Sequence, residues 1–219
     1  MKYFLVGLTC VLLGLMFFVG SSYYKEKQVE EYGFMAKENA DLFIRDHSQA
    51  LGSDDAKVYI IEFMDPACET CAAFAPFIKK IMANNPGKIK LVLRYAPFHD
   101  GADNFVKILE AARMQGKYWE TLDVMFESQS VWASHHNYQP ERLWEFLPKA
   151  GVDVEQIKKD MHDPSIAKII EQDMADVKAL NVQKTPGYFV NGKPLLSFGY
   201  KQLYHLIQSE LDAQYPADK

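Results

Sequence analysis

Hydrophobic and polar positions fall along the chain in blocks of different period. Tyr3 to Gly20 is an uncharged run of 18 residues preceded only by Lys2. A bilayer-spanning helix needs about 17–25 such residues and a secretory apolar core about 7–15, so residues 1–24 read as an uncleaved membrane anchor. The small residues Val19-Gly20-Ser21-Ser22 leave cleavage as the alternative, and Cys10 lies within the apolar run. From Lys25 to Arg45 the pattern turns amphipathic, with Val29, Tyr32, Ala36, Ala40 and Phe43 recurring every three to four residues. That spacing predicts a helix leading off the membrane, its stripe packing on its own domain or on a second copy. His47 to Asp55, with Gly52, reads as a break, so residues 25–54 form a helix and linker.

A change of period at Lys57 marks the main domain, residues 55–219. Val58 to Phe63 is a short β-branched and aromatic run, the mark of a buried strand. Asp65-Pro66 then predicts a helix start, with Asp65 as N-cap and Pro66 at the first helical position. That helix carries Cys68, Cys71, Phe74, Phe77, Ile78 and Ile81 and stops at Asn84-Asn85-Pro86-Gly87. A second strand, Ile89 to Tyr95, completes a βαβ unit and predicts a parallel pair. Residues from about 103 to 182 keep helical periodicity and form an insertion. Strand signals return at Gly187 to Val190 and from Pro194 to Phe198, with Asn191-Gly192 between them as a two-residue hairpin turn. A last amphipathic helix spans Gln202 to Asp212. The predicted fold class is therefore α/β, in the order βαβ, helical insertion, ββα, behind an N-terminal membrane anchor helix.

Composition narrows the function. The 219 residues are 48% hydrophobic and 13% aromatic, which excludes disorder. With 24 Lys+Arg against 29 Asp+Glu and a net charge of −5, nucleic acid is excluded as a partner. The chain has 3 cysteines, and outside the apolar run only Cys68 and Cys71 remain. Three residues apart on a helix, they can close a small disulfide and reopen it without moving the backbone. A bridge over so short a loop removes little chain entropy, so exchange suits it better than stabilisation. Helix N-terminal amides favour a thiolate at Cys68, which makes it the nucleophile, and Cys71 then resolves the mixed disulfide. The metal-binding alternative, copper or zinc held by the dithiol, needs further ligands, and His135-His136 is the one adjacent histidine pair in the sequence.

Phe63-Met64-Asp65-Pro66-Ala67-Cys68-Glu69-Thr70-Cys71, the insertion, and Thr185-Pro186-Gly187-Tyr188-Phe189-Val190-Asn191-Gly192 together resemble the DsbA family, thiol:disulfide oxidoreductases of the bacterial envelope with a thioredoxin fold. The resemblance covers roughly residues 55 to 212. It implies a cis peptide bond at Pro186, facing the cysteines, with the backbone of Thr185 available to pair with an extended substrate. It implies too that Glu62, six residues before Cys68, moves the proton of the resolving cysteine. Pro76 matches the proline that kinks this helix in thioredoxin.

The resemblance also implies a bacterial envelope location, cysteine-containing protein substrates, a membrane redox partner of the DsbB type, and no cofactor beyond the Cys68-Cys71 disulfide. Two departures bear on its direction of reaction. The dipeptide between the cysteines is Glu69-Thr70, without the histidine of strong oxidases, and Glu69 places a negative charge beside the thiolate. Thr185 before the proline resembles thioredoxins, isomerases and some DsbA-like proteins rather than the strongest oxidases. Disulfide formation is the expected activity, with an isomerase or reductase self-associating through residues 25 to 45 as the alternative.

Overall fold

The structure, a computed structural model, describes residues 10–24, 27, 40–134 and 137–216. Residues 10–24 are helical (α1) and exposed, and among the described residues no helix is long and apolar enough to cross a membrane. Most of the amphipathic stretch from Lys25 to Arg45 lies outside the described residues. Its end is not α-helix: Ala40–Leu42 form a 3₁₀ turn, after which the chain runs on without helix to β1 (Gln49–Gly52).

β1 corrects the linker reading, because it pairs antiparallel with β3 (Ile89–Tyr95) as an edge of the main sheet. Its last residue approaches that neighbour closely. Gly52 has φ +116°, and a Cβ there would meet the Ile89 carbonyl oxygen at 2.4 Å, so only glycine fits without displacement. β2 (Val58–Met64) runs parallel to β3, joined to it by α2 (Glu69–Asn84). All of β2 except Tyr59 is buried, as expected for a strand covered on both faces.

Cys71, Phe74, Ile78 and Ile81 form the buried stripe of α2, and the Asn85 side-chain amide closes its end on the Ile81 carbonyl. Truncating Ile78, which is fully buried, to Ala would cost about 2–5 kcal/mol. The insertion begins with α3 (Ala102–Met114) and α4 (Tyr118–Trp132), followed by the two-residue strands β4 (Ala133–Ser134) and β5 (Asn137–Tyr138). α5 (Pro140–Leu143), α6 (Val154–Asp160) and α7 (Pro164–Ala179) complete it.

The chain then returns to the sheet as β6 (Gly187–Val190) and β7 (Lys193–Pro194), and ends in α8 (Tyr200–Gln214). The strand order is β1-β3-β2-β6-β7. Asn191 and Gly192 take positive φ (47° and 80°), the geometry of a type I′ hairpin. The Asn191 side chain also accepts from the Tyr59 amide and donates to the Lys57 carbonyl, clasping the hairpin to β2. β7 stops at Pro194, short of the expected Phe198. The Leu195 amide makes one more bond, to the Tyr188 carbonyl, and the chain then leaves the sheet.

Strand alternation gives the sheet two different faces. Ile60, Met64, Leu91, Leu93 and Tyr95 join the larger core with α2, α3, α4 and α8. Ile61, Phe63 and Val92 join a smaller one with Phe43, Val177 and Leu180. On this second face the fully buried Arg94 donates to Asp173 (2.6 and 2.9 Å), to Asp176 (2.6 Å) and to the Leu42 carbonyl (2.9 Å). Arg45 and His47 reach the same two acids, tying residues 42–47, β3 and α7 into one unit.

Candidate active site

Cys68 and Cys71 sit where β2 ends and α2 begins. Asp65 and Pro66 do not start the helix: Asp65 to Cys68 form a preceding turn, closed by a 3.0 Å bond from the Cys68 amide to the Asp65 carbonyl. Cys68 is itself the N-cap residue, with extended backbone (φ −76°, ψ 116°). The Asp65 carboxylate, fully buried, holds the turn instead. It accepts from the Ala67 amide (2.8 Å), the His99 amide (2.9 Å) and His99 Nδ1 (2.8 Å). An ionised carboxylate only accepts, so Nδ1 carries the proton in this pair. From the insertion, Gln129 donates to the Pro66 carbonyl at 3.1 Å.

Both active-site cysteines are unpaired thiols in this structure. Cys68 keeps 6% of its surface exposed and Cys71 none, so an external sulfur can reach only Cys68. Their acidities diverge for the same reason. The Cys71 thiol, donating a hydrogen bond to Cys68, is the largest influence lowering the Cys68 pKa, to about 6, against burial; the Thr185 side chain and the amides of Cys71 and Thr70 add to it. Cys-X-X-Cys pairs span about 3.5 in a strong oxidant to about 7 in a reductant, and this value lies between them. Burial, then the bond to Cys68 and the charge of Glu62, push Cys71 well above its ordinary value. Glu69 is exposed at the helix start, and the lowered Cys68 pKa follows from thiol, hydroxyl and amide donors, the Thr70 amide of the dipeptide among them.

Thr185 and Pro186 face the dithiol from the opposite side. Their peptide bond is cis, and Cys68 Sγ lies 3.5 Å from the Thr185 carbonyl oxygen as its donor. Beside Pro186 a groove of about 190 Å³ is lined by Lys184, Tyr188, Leu195, Leu196 and Phe198 among others. Glu62 lies beneath Cys71, opposite Tyr188 in the β2–β6 pairing. Burial raises its pKa to about 8; the Tyr188 hydroxyl, which faces it without reaching a regular hydrogen bond, counters this in part, and the Cys68 charge adds to it.

The structure thus brings Cys68, Cys71, Glu62, Thr185 and Pro186 together. His135-His136 lies outside the described residues, among which no group of three or more His, Cys, Asp or Glu side chains could hold a metal ion. Sequence reasoning missed His99 and Gln129. His99 carries no local signal, and Gln129 is one polar residue in a helical insertion whose packing no periodicity reveals.

A strand-end dithiol, a cis X-Pro opposite it and a helical insertion coincide with a match to known sequences. The family model described as thioredoxin covers residues 45–209. The chain belongs to the thioredoxin family. A Bacillus anthracis relative named "probable disulfide bond formation protein D" is 30% identical over 184 residues, covering 78% of this chain and 82% of the relative. The oxidised crystal structure of BdbD from Bacillus subtilis superposes with a TM-score of 0.66 at 25% identity, over 75% of this chain and 93% of that one.

Within the family the chain is thus similar to a protein named for disulfide bond formation and to BdbD. A Na(+)/H(+) antiporter NhaA of Herminiimonas arsenicoxydans is also similar, 29% identical over 144 residues. That match spans 66% of this chain and only 22% of the antiporter's length.

Proposed function

We propose that this family member is an envelope oxidase, transferring the Cys68-Cys71 disulfide to cysteine-containing proteins. The observation that carries the reading is the split acidity of the pair, with Cys68 lowered to about 6 and Cys71 raised. A substrate thiolate attacks Cys68 Sγ, the Cys68–Cys71 bond breaks, and its electron pair leaves on Cys71. Buried there, that sulfur takes a proton from Glu62, which is mostly protonated at neutral pH. A second substrate thiolate then attacks the sulfur bonded to Cys68, so the substrate leaves as a disulfide and Cys68 as a stabilised thiolate. Stabilising the reduced enzyme in this way makes the disulfide oxidising.

The backbone of Thr185 aligns the substrate strand, and no cofactor beyond the dithiol takes part. Reoxidation belongs to a membrane redox partner of the DsbB type, with Tyr3 to Gly20 holding the domain at the bacterial inner membrane. A glutathione redox titration tests the direction of reaction. The expected potential is well above that of thioredoxin, and a value near or below about −270 mV would instead assign a reductase. Cys68→Ser abolishes exchange, whereas Cys71→Ser accumulates mixed disulfides on Cys68; substrate trapped on Cys71 would reverse the two roles. Intact protein in the membrane fraction is the result expected for the anchor, and a fragment starting near residue 22 would show cleavage.

A further inference from the structure

Along the sheet Glu62 meets apolar Leu93 in β3 and the hydroxyl of Tyr188 in β6, which is itself buried and gives the proton no direct exit to solvent. Glu62 does line a cavity of about 20 Å³ between β2, β3, α2 and α4, enough for one water. Helical spacing shapes this space. Ala72, Ala75 and Lys79 share one face of α2, and Trp119, Leu122, Asp123 and Phe126 share the facing side of α4. Small residues on α2 therefore leave a gap against large ones on α4.

At the outer end Lys79 pairs with Asp123, each about two-fifths exposed. Both side chains, with Ala75 and Phe126, also line an open cleft of about 310 Å³ on the solvent side. Pro76, lacking an amide hydrogen, leaves the Ala72 carbonyl without its helical donor, and both residues line that cleft. Water reaching the ion pair therefore meets a carbonyl, an ammonium and a carboxylate before the apolar neck.

We propose that this cavity is the proton port of Glu62, with the Lys79–Asp123 pair as its outer lid. The inference rests on the reading of Glu62 as the proton partner of Cys71. When the dithiol closes, Cys71 gives its proton to the Glu62 carboxylate while its sulfur bonds to Cys68 and the partner sulfur leaves as thiolate. The proton then passes from Glu62 to the water in the cavity and out past Lys79 and Asp123. When a substrate opens the disulfide, a proton returns by the same path and recharges Glu62. Lys79 and Asp123 act through that water, as positioning residues.

The test measures glutathione release from the Cys68 mixed disulfide by rapid acid quench and mass spectrometry, beside the ultraviolet titration of Cys68 and carbon-13 NMR of the Glu62 carboxyl. Glu62→Gln should slow release roughly 100-fold. Ala75→Leu, which fills the neck, should slow it roughly tenfold or more and leave the Cys68 titration in place, while Ala75→Ser stays close to wild type. Lys79→Ala and Asp123→Ala, at exposed positions, remove the lid. Each should lower the Glu62 pKa toward its solvated value without slowing release.

If Glu62→Gln slows release while folded Ala75→Leu does not, the port is wrong and the role of Glu62 stands. Unchanged release in Glu62→Gln overturns that role and the port with it. Should Ala75→Leu fail to fold, the lid variants decide alone: an unmoved Glu62 titration in both rejects the port.

Discussion

Glu62 and Arg94 are buried charges on adjacent strands, one register step apart, since Glu62 pairs with Leu93 and Phe63 with Arg94. They point to opposite faces of the sheet and are treated in opposite ways. Arg94 is surrounded by acceptors, with Asp173, Asp176 and the Leu42 carbonyl in reach and the Phe63 ring 5.4 Å from its guanidinium carbon. Burial pushes Asp176 upward, but the guanidiniums of Arg45 and Arg94 outweigh it and hold this carboxyl below its ordinary value. Among the described residues Glu62 has no such partner, and burial shifts it to about 8 instead. A compensated buried charge fixes a position, whereas an uncompensated one changes protonation near neutral pH and so can do chemistry.

Four substitutions test this contrast. Arg94→Met removes the fully buried cation between Asp173 and Asp176, leaving them only Arg45 and His47, and should cost about 3–5 kcal/mol in chemical denaturation, while the Cys68 titration of the folded fraction holds. A large shift of that titration would mean that the two faces are coupled. Glu62→Gln should do the reverse, slowing dithiol closure with little loss of stability at neutral pH.

The pH dependence has a definite sign. With its pKa raised from 4.5 to about 8, Glu62 stays protonated in the folded protein while the unfolded chain ionises. The stability of the reduced protein should therefore lose this contribution as pH climbs from 4.5 to about 8. Urea melts of Glu62→Gln should show a flatter decline over that window; an identical slope in both proteins would remove Glu62 from the account. Cys68 adds an opposite slope, since its pKa drops from 9.0 to about 6 and stability grows across that interval.

A smaller effect is expected on the other side of the dithiol. Thr185→Val deletes one donor to the Cys68 thiolate and should raise its pKa by roughly one unit, followed by ultraviolet absorbance. Smallest is Glu69→Gln. As an exposed charge screened by solvent, Glu69 should shift the Cys68 pKa by less than about 0.3 unit. A full-unit fall would restore the dipeptide to the controlling role suggested by its charge.

Local signals made one half of this site readable. The β2–α2–β3 unit, the Cys68-Cys71 spacing and the Asn191-Gly192 turn each carry their pattern within a few residues, and the structure forms each of them. Asp65-Pro66 misled because an Asx turn and a helix N-cap share the same residue preferences, and the carboxylate serves the turn. β1 was hidden because Gln49-Ala50-Leu51-Gly52 is too short and mixed to show alternation. The Arg94 cluster joins residues 79 and 82 positions apart, and the Glu62 cavity exists only because α4 stands against α2; neither leaves a periodic trace. The family resemblance supplied Glu62 as a candidate, but that no described cation pairs with it, Lys79 being held by Asp123, is visible only in three dimensions.

Asp65 makes the Cys68 to Cys71 segment a poor candidate for transplantation. Its carboxylate joins the turn that presents Cys68 to His99, 34 residues further along the chain and beyond β3. A graft of Cys68 to Cys71 onto another strand and helix would carry the spacing but leave behind the loop that positions the nucleophile. An engineer seeking this reactivity elsewhere would have to move two separate pieces of chain, and would do better to treat residues 64–71 and 96–99 as one part.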